Sequence, residues 1–229
     1  MIMGAWGLGG KKAPTAKSYV QDGLIAMWDG IENAGWGVHD SSAQGWTNLV
    51  TGDVSPLVNS IGSFEDNRFA AGNGGGVNIG LFSGVCALEI CVSRHSSNYS
   101  IVSPDKDANN STTISAINMI FVNGVGYVPN KQNAGKRVSF EDYTTPHTIA
   151  FVREAPSDGS VVTYGDGIIS TGNLYNDYWM VSKGYLAYSS YQSRWSNIDC
   201  YCLRLYSRAL AAAEIAANYA VDKERFNLP

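Results

Sequence analysis

The residues best suited to ligand chemistry lie between Asn173 and Trp195. Tyr175, Tyr178 and Trp179 precede Tyr185, Tyr188, Tyr191 and Trp195, with Asn173, Asn176, Asp177 and Arg194 among them. Sugars present C–H faces that stack on aromatic rings, and hydroxyls that pair with amides and carboxylates. A loop offering both suits glycan recognition, and Tyr188, Tyr191, Arg194, Asn176 and Asp177 are its candidate carbohydrate-binding residues. A packing role stays open for Tyr188, Tyr191 and Arg194. Trp179 and Trp195 fall in strand-like stretches and are assigned to the core, as are Trp28, Trp36 and Trp46.

Metal chemistry has one candidate. Asp105, Asp107 and Asn109 offer oxygens at alternate positions, as the start of a calcium loop would. The glycine and glutamate that complete an EF-hand loop are replaced by Asn110 and Ala116, so a polar hairpin loop explains the stretch more simply. Calcium is therefore the one cofactor considered, and otherwise none is expected. The four cysteines, Cys86, Cys91, Cys200 and Cys202, contain no C-x-x-C pair and are expected to be reduced, packed thiols. Residues 72–76 are glycine-rich but lack the Lys-Ser/Thr of a phosphate loop.

Catalytic patterns are sparse. His39, His95 and His147 lie far apart in the sequence, and no G-x-S-x-G accompanies them. Glu65-Asp66 and Glu141-Asp142 are adjacent pairs, whose side chains diverge on a strand. The expectation from these residues is that the chain is not an enzyme.

Composition then limits the class. A chain of 229 residues with 45% hydrophobic residues can bury one large core. Its 25 glycines and 13 tyrosines, against 16% charged residues, suit short strands joined by tight turns. A net charge of -4 gives no electrostatic reason to expect nucleic acid as a partner. No apolar run approaches the ~20 residues of a membrane span. The N-terminus lacks a basic start followed by an apolar stretch, so a soluble protein made in the cytoplasm is expected. Residues 1–22 read as an arm, in which Met1, Ile2, Trp6 and Leu8 are apolar anchors and the glycines let the backbone lie against a neighbouring surface. The main domain then covers residues 23–229.

Within that domain the period-two patterns mark strands. Cys86, Leu88, Ile90 and Val92 alternate with Ala87, Glu89, Cys91 and Ser93, and Thr112 to Val122 is extended up to the hairpin signal Asn123-Gly124. His147–Arg153 and the turn Asp166-Gly167 follow. Near the end, Tyr201, Leu203 and Leu205 are assigned to one face of a strand, with Cys200, Cys202, Arg204 and Tyr206 on the other. Neither face is uniformly polar, which predicts an interior strand. The period then changes to helical, with Ile215, Tyr219 and Phe226 on one stripe of an alanine-rich helix from about Ala212 to Arg225.

The run Leu203-Arg204-Leu205-Tyr206-Ser207-Arg208-Ala209-Leu210, followed by Glu214-Ile215 and Asn218-Tyr219, resembles the closing signature of laminin-G-like domains. These are jelly-roll members of the concanavalin A-like lectin/glucanase superfamily. Gly23 to Gly30, with Trp36 and Trp46-Thr47-Asn48-Leu49, resembles their opening segment. In the family a Ser or Thr stands three residues before the Glu; here that position is Ala211, so the hydroxyl half of a capping box is missing. The resemblance implies an all-β, two-sheet antiparallel jelly-roll sandwich with one short C-terminal helix. The Glu-x-Asp-x-x-Glu strand that the superfamily's glucanases carry does not occur in this sequence. The expected function is a non-catalytic module on a larger assembly, a bacteriophage virion, as head fibre, decoration or tail component, touching carbohydrate or a host surface. Its partners would be copies of itself or other virion proteins, held through the arm. A free carbohydrate-binding protein or cell-surface adhesin, and a glycoside hydrolase or lyase, are the alternatives.

Overall fold

The computed structural model describes residues 13–80, 84–96, 102–104, 120–122, 125–127, 138–139, 144–153, 160–169, 174–175, 184–189 and 194–229. Two antiparallel sheets form the body. The larger has nine strands, in the spatial order Ile168–Ile169, Ser160–Gly165, His147–Val152, Ala87–Ser96, Asn197–Tyr206, Arg68–Ala70, Ser63–Glu65. Leu24–Asp29 also pairs with Asn197–Tyr206, and Leu174–Tyr175 with Ser160–Gly165. The smaller sheet runs Gly45–Thr47, Val54–Val58, Gly76–Gly80, Gly184–Leu186, Val102–Pro104.

Turn chemistry reads as the sequence predicts. Val122 pairs with Val125, so only the Asn123-Gly124 dipeptide separates two strands. Gly165 pairs with Ile168 across Asp166 (φ 49°) and Gly167 (φ 76°), two positive φ angles that suit a type I′ hairpin turn.

Between the sheets lies one apolar core. The larger sheet contributes Trp28, Phe69, Leu88, Ile90, Ile149, Phe151, Leu203 and Leu205; the smaller contributes Trp46, Val77, Ile79, Val102 and Leu186. Its two large polar-tipped rings are satisfied: Trp28 Nε1–H donates to Ser55 Oγ at 3.0 Å, and Trp46 Nε1–H donates to the Asp29 carbonyl at 3.0 Å. Both bonds tie one sheet to the other. This is an all-β sandwich.

Asn197–Tyr206 is the interior strand expected. One edge pairs with Ala87–Ser96, while the other is shared by Arg68–Ala70 and Leu24–Asp29. Simple alternation nevertheless misplaces Cys200 and Tyr201. The pairing slips so that Val92 faces Cys200 but the next residue, Cys91, faces Cys202, a β-bulge with Tyr201 as the extra residue. Beyond it the faces exchange. Ile198, Cys200, Leu203 and Leu205 point between the sheets, whereas Tyr201 and Cys202 belong to the outer face. There the Tyr201 ring meets Phe226 of the helix at 5.5 Å.

The helix, Ala212–Phe226, covers that outer face and buries Ile215, Asn218, Asp222 and Phe226. Two of these four are polar because the strands beneath offer Glu89 and Arg204, both fully buried. Tyr219 is half-buried and lies against Gly167, where an added Cβ would come within 3.0 Å of its ring. At the start, the Glu214 carboxylate accepts the Ala211 N–H at 2.8 Å and is held by Arg208 at 2.6 and 2.9 Å. Those bonds, chiefly the ones from Arg208, lower its pKa to about 2. The glutamate half of the capping box is thus formed, and the hydroxyl half is absent because Ala211 has none. Ala211 has extended dihedrals suited to an N-cap (φ -70°, ψ 154°). Ala211→Ser should therefore raise stability by about 1 kcal/mol, read as a higher urea midpoint with an unchanged slope. An unaltered midpoint would show that the free amides are already satisfied.

Part of the segment before residue 23 packs on the sandwich. Ala16 and Tyr19 are buried, the Ala16 N–H donates to Glu32 Oε1 at 2.8 Å, and the Val20 N–H donates to Asn218 Oδ1 at 2.8 Å. Hydrogen bonds to Glu32 and to the helix hold residues 16–20 in place. Met1, Ile2, Trp6 and Leu8 lie outside the described residues.

Candidate functional site

Of the aromatic candidates, Tyr185, Tyr188 and Trp195 gather where the chain passes from the smaller sheet to the larger. After Leu186, which is buried in the smaller sheet, Ala187 takes a left-handed φ of 61° and turns the chain outward. A short hairpin follows, pairing Tyr188 with Trp195 and Ser189 with Arg194. The chain re-enters at Ser196, whose N–H donates to the Ala187 carbonyl at 2.8 Å, and continues as the central strand. Cross-strand pairing stacks the Tyr188 and Trp195 rings at 4.0 Å and 25°, and Tyr185 meets Tyr188 edge-on at 5.3 Å.

All three rings are half-buried, so each keeps part of its surface exposed. Gly76 lets the hairpin sit this close. A Cβ there would lie 2.7 Å from the Leu186 carbonyl and 3.1 Å from Tyr188 Cβ.

Of the expected binding residues, Tyr188 and Arg194 are thus brought together on one hairpin. Tyr191, Asn176 and Asp177 lie outside the described residues, as do Asp105, Asp107, Asn109 and Trp179. Two assignments are corrected. Trp195 is half-buried on the hairpin rather than a core residue, and Trp36 is 37% exposed with the Lys17 ammonium 5.3 Å from its ring centre. Among the described residues no group of three or more His, Cys, Asp or Glu is placed to hold a metal ion.

Two of the three histidines find carboxylates that sequence distance concealed. His95 Nε2 lies 2.8 Å from Asp199 Oδ2, and Arg68 Nε lies 3.0 Å from the same oxygen. His147 Nδ1 lies 2.7 Å from Asp166 Oδ2, while its Nε2 lies 3.2 Å from the Thr145 hydroxyl. Asp166 Oδ1 also accepts the Thr148 N–H at 2.9 Å, which ties the turn to the neighbouring strand. Two clefts, of about 540 and 390 Å³, border Ala13–Thr15 beside the helix, away from the aromatic hairpin.

No protein-family model matches the chain, and no curated protein matches it in sequence. Solved structures do share its fold. It is similar to Trypanosoma rangeli sialidase at 13% identity and a TM-score of 0.65, over 88% of this chain and 33% of that one. The same sialidase in complex with sialic acid matches at 14% identity and a TM-score of 0.63, over 93% and 34%. The HCR/D W1238A mutant matches at 11% identity and a TM-score of 0.57, over 87% and 52%. At such identities the likeness shows a shared β-sandwich, and the chain spans about one third of the sialidase's length. The expectation that the chain is not an enzyme is corrected by this finding. Enzymes are among the structures with this fold, so missing glucanase carboxylates do not decide the question.

Proposed function

We propose that this chain is a laminin-G-like, concanavalin A-type jelly-roll domain that binds carbohydrate through the aromatic hairpin, and that it is carried on the surface of a bacteriophage virion. The observation that carries the binding reading is the part-exposed aromatic group Tyr185, Tyr188 and Trp195, with Arg194 on the same hairpin. Rings held by cross-strand stacking are rigid before a ligand arrives, so little ordering entropy is lost when a sugar face packs on them. Support for a carbohydrate ligand also comes from the fold shared with a sialidase solved with sialic acid. The virion reading rests on the arm, whose Met1, Ile2, Trp6 and Leu8 would anchor the domain to copies of itself or to other virion proteins.

A glycan array with the parent protein and the Tyr188→Ala and Trp195→Ala variants tests the binding. Each variant should lose roughly tenfold in affinity, about 1.4 kcal/mol, with folding intact. A parent that retains no glycan, or variants that bind as the parent does, would overturn the reading. Deleting residues 2–12 tests the anchor separately: the shortened protein should fold but be missing from purified particles.

A further inference from the structure

The buried polar layer under the helix holds more carboxyl groups than its cations can neutralise. Arg204, with no exposed side-chain surface, donates to Glu89 Oε2 at 3.0 Å and forks onto Asp222 at 2.7 and 2.8 Å. Beside it, Arg225 forks onto Asp29 at 2.6 and 2.9 Å and reaches Glu32 at 3.1 Å. The Tyr19 ring lies over both guanidinium groups, at 4.1 and 5.5 Å, and its hydroxyl donates to Asp222 at 2.7 Å. Two cations thus face four carboxyls in a nearly dry layer, where an uncompensated charge is strongly unfavourable.

Glu89 is the member least provided for. Its Oε2 accepts from Arg204 and from Asn218 Nδ2 at 2.6 Å, but its Oε1 is buried with no hydrogen-bond partner. The groups around this layer come from every element packed there. They are Cys91 on its own strand; Cys202, Arg204 and Tyr206 on the central strand; Asn218 and Asp222 on the helix; Thr148 on the next strand; and Tyr19 in the N-terminal segment.

We propose that this junction is a proton-operated latch. With Glu89 protonated, one carboxylate, Asp222, takes the Arg204 charge, and the helix and residues 15–20 are clamped to the sheet. When Glu89 loses its proton, two carboxylates compete for Arg204, and the helix with its strapped N-terminal segment loosens.

Burial, offset in part by Arg204 and reinforced by Asp222, raises the Glu89 carboxyl from its ordinary 4.5 to about 7. Cys91, Cys202, Tyr19 and Tyr206 are pushed upward by burial and stay neutral through that range. The raised pKa sets the direction. The clamp is fully present below 4.5 and is lost as pH rises through about 7.

Hydrogen exchange on the full chain tests the latch, at about pH 5 and about pH 8.5, corrected for intrinsic exchange rates. Protection of residues 15–20 and of the helix should fall roughly tenfold or more at the higher pH, while the sheet core keeps its protection. Glu89→Gln should flatten that difference. Protection independent of pH in the parent, or equally pH-dependent in Glu89→Gln, would overturn the proposal. Carboxyl carbon NMR of the parent reads the same proton without a variant, and a Glu89 already ionised at about pH 5 would also overturn it.

Discussion

Arg204→Met should lower stability by about 3–5 kcal/mol, as removing one partner of a buried ion pair does. The methionine keeps much of the side-chain volume, so the loss comes from electrostatics. Asp222 and Glu89, both fully buried, are left facing each other with no cation between them. Tyr19 also loses the guanidinium packed on its ring, which links the N-terminal segment to the same event. Chemical denaturation of parent and variant measures the effect. A difference under about 1 kcal/mol would show that water reaches this layer. Adding Glu89→Gln and Asp222→Asn to Arg204→Met should recover part of the loss, because neither carboxylate is then left buried without its cation.

Leu203→Ala should cost about 2–5 kcal/mol, the range for deleting a buried leucine side chain. Leu203 is fully buried between the sheets, with Trp28 as its partner on one neighbouring strand and Ile90 on the other. Rigid strands on both sides restrict collapse around the cavity, which favours the upper part of that range. Thermal unfolding measures it, and an unchanged midpoint would remove Leu203 from the core. Tyr201→Ala tests the bulge by contrast. Its ring contacts Phe226, so its loss should expose helix amides to exchange more than those of the smaller sheet.

The sequence by itself determined the elements whose signals are local. Alternation in Ala87–Ser96 correctly sends Leu88, Ile90 and Val92 inward and Glu89 and Cys91 outward. The Asp-Gly dipeptide at 166–167 marks a two-residue hairpin, because few other residues reach positive φ cheaply. The alanine-rich run ending before Asn227, which takes φ 53°, marks the helix and its stop. The candidate site was legible only as composition: a tyrosine- and tryptophan-rich stretch.

The tertiary structure decided whatever depends on a neighbour far along the chain. The bulge at Tyr201 arises from pairing with Cys91 and Val92, and no period within Asn197–Tyr206 announces it. Trp195 leaves the core because Tyr188 stacks on it across a hairpin lying over Gly76, itself 119 residues earlier in the chain. Arg204 looks like an ordinary strand arginine until the helix brings Asp222 and the neighbouring strand brings Glu89, 115 residues away. A charge can be buried only where the fold collects its partners. The sequence holds those partners, but the burial that makes their pairing matter exists only once the sheets and helix have closed.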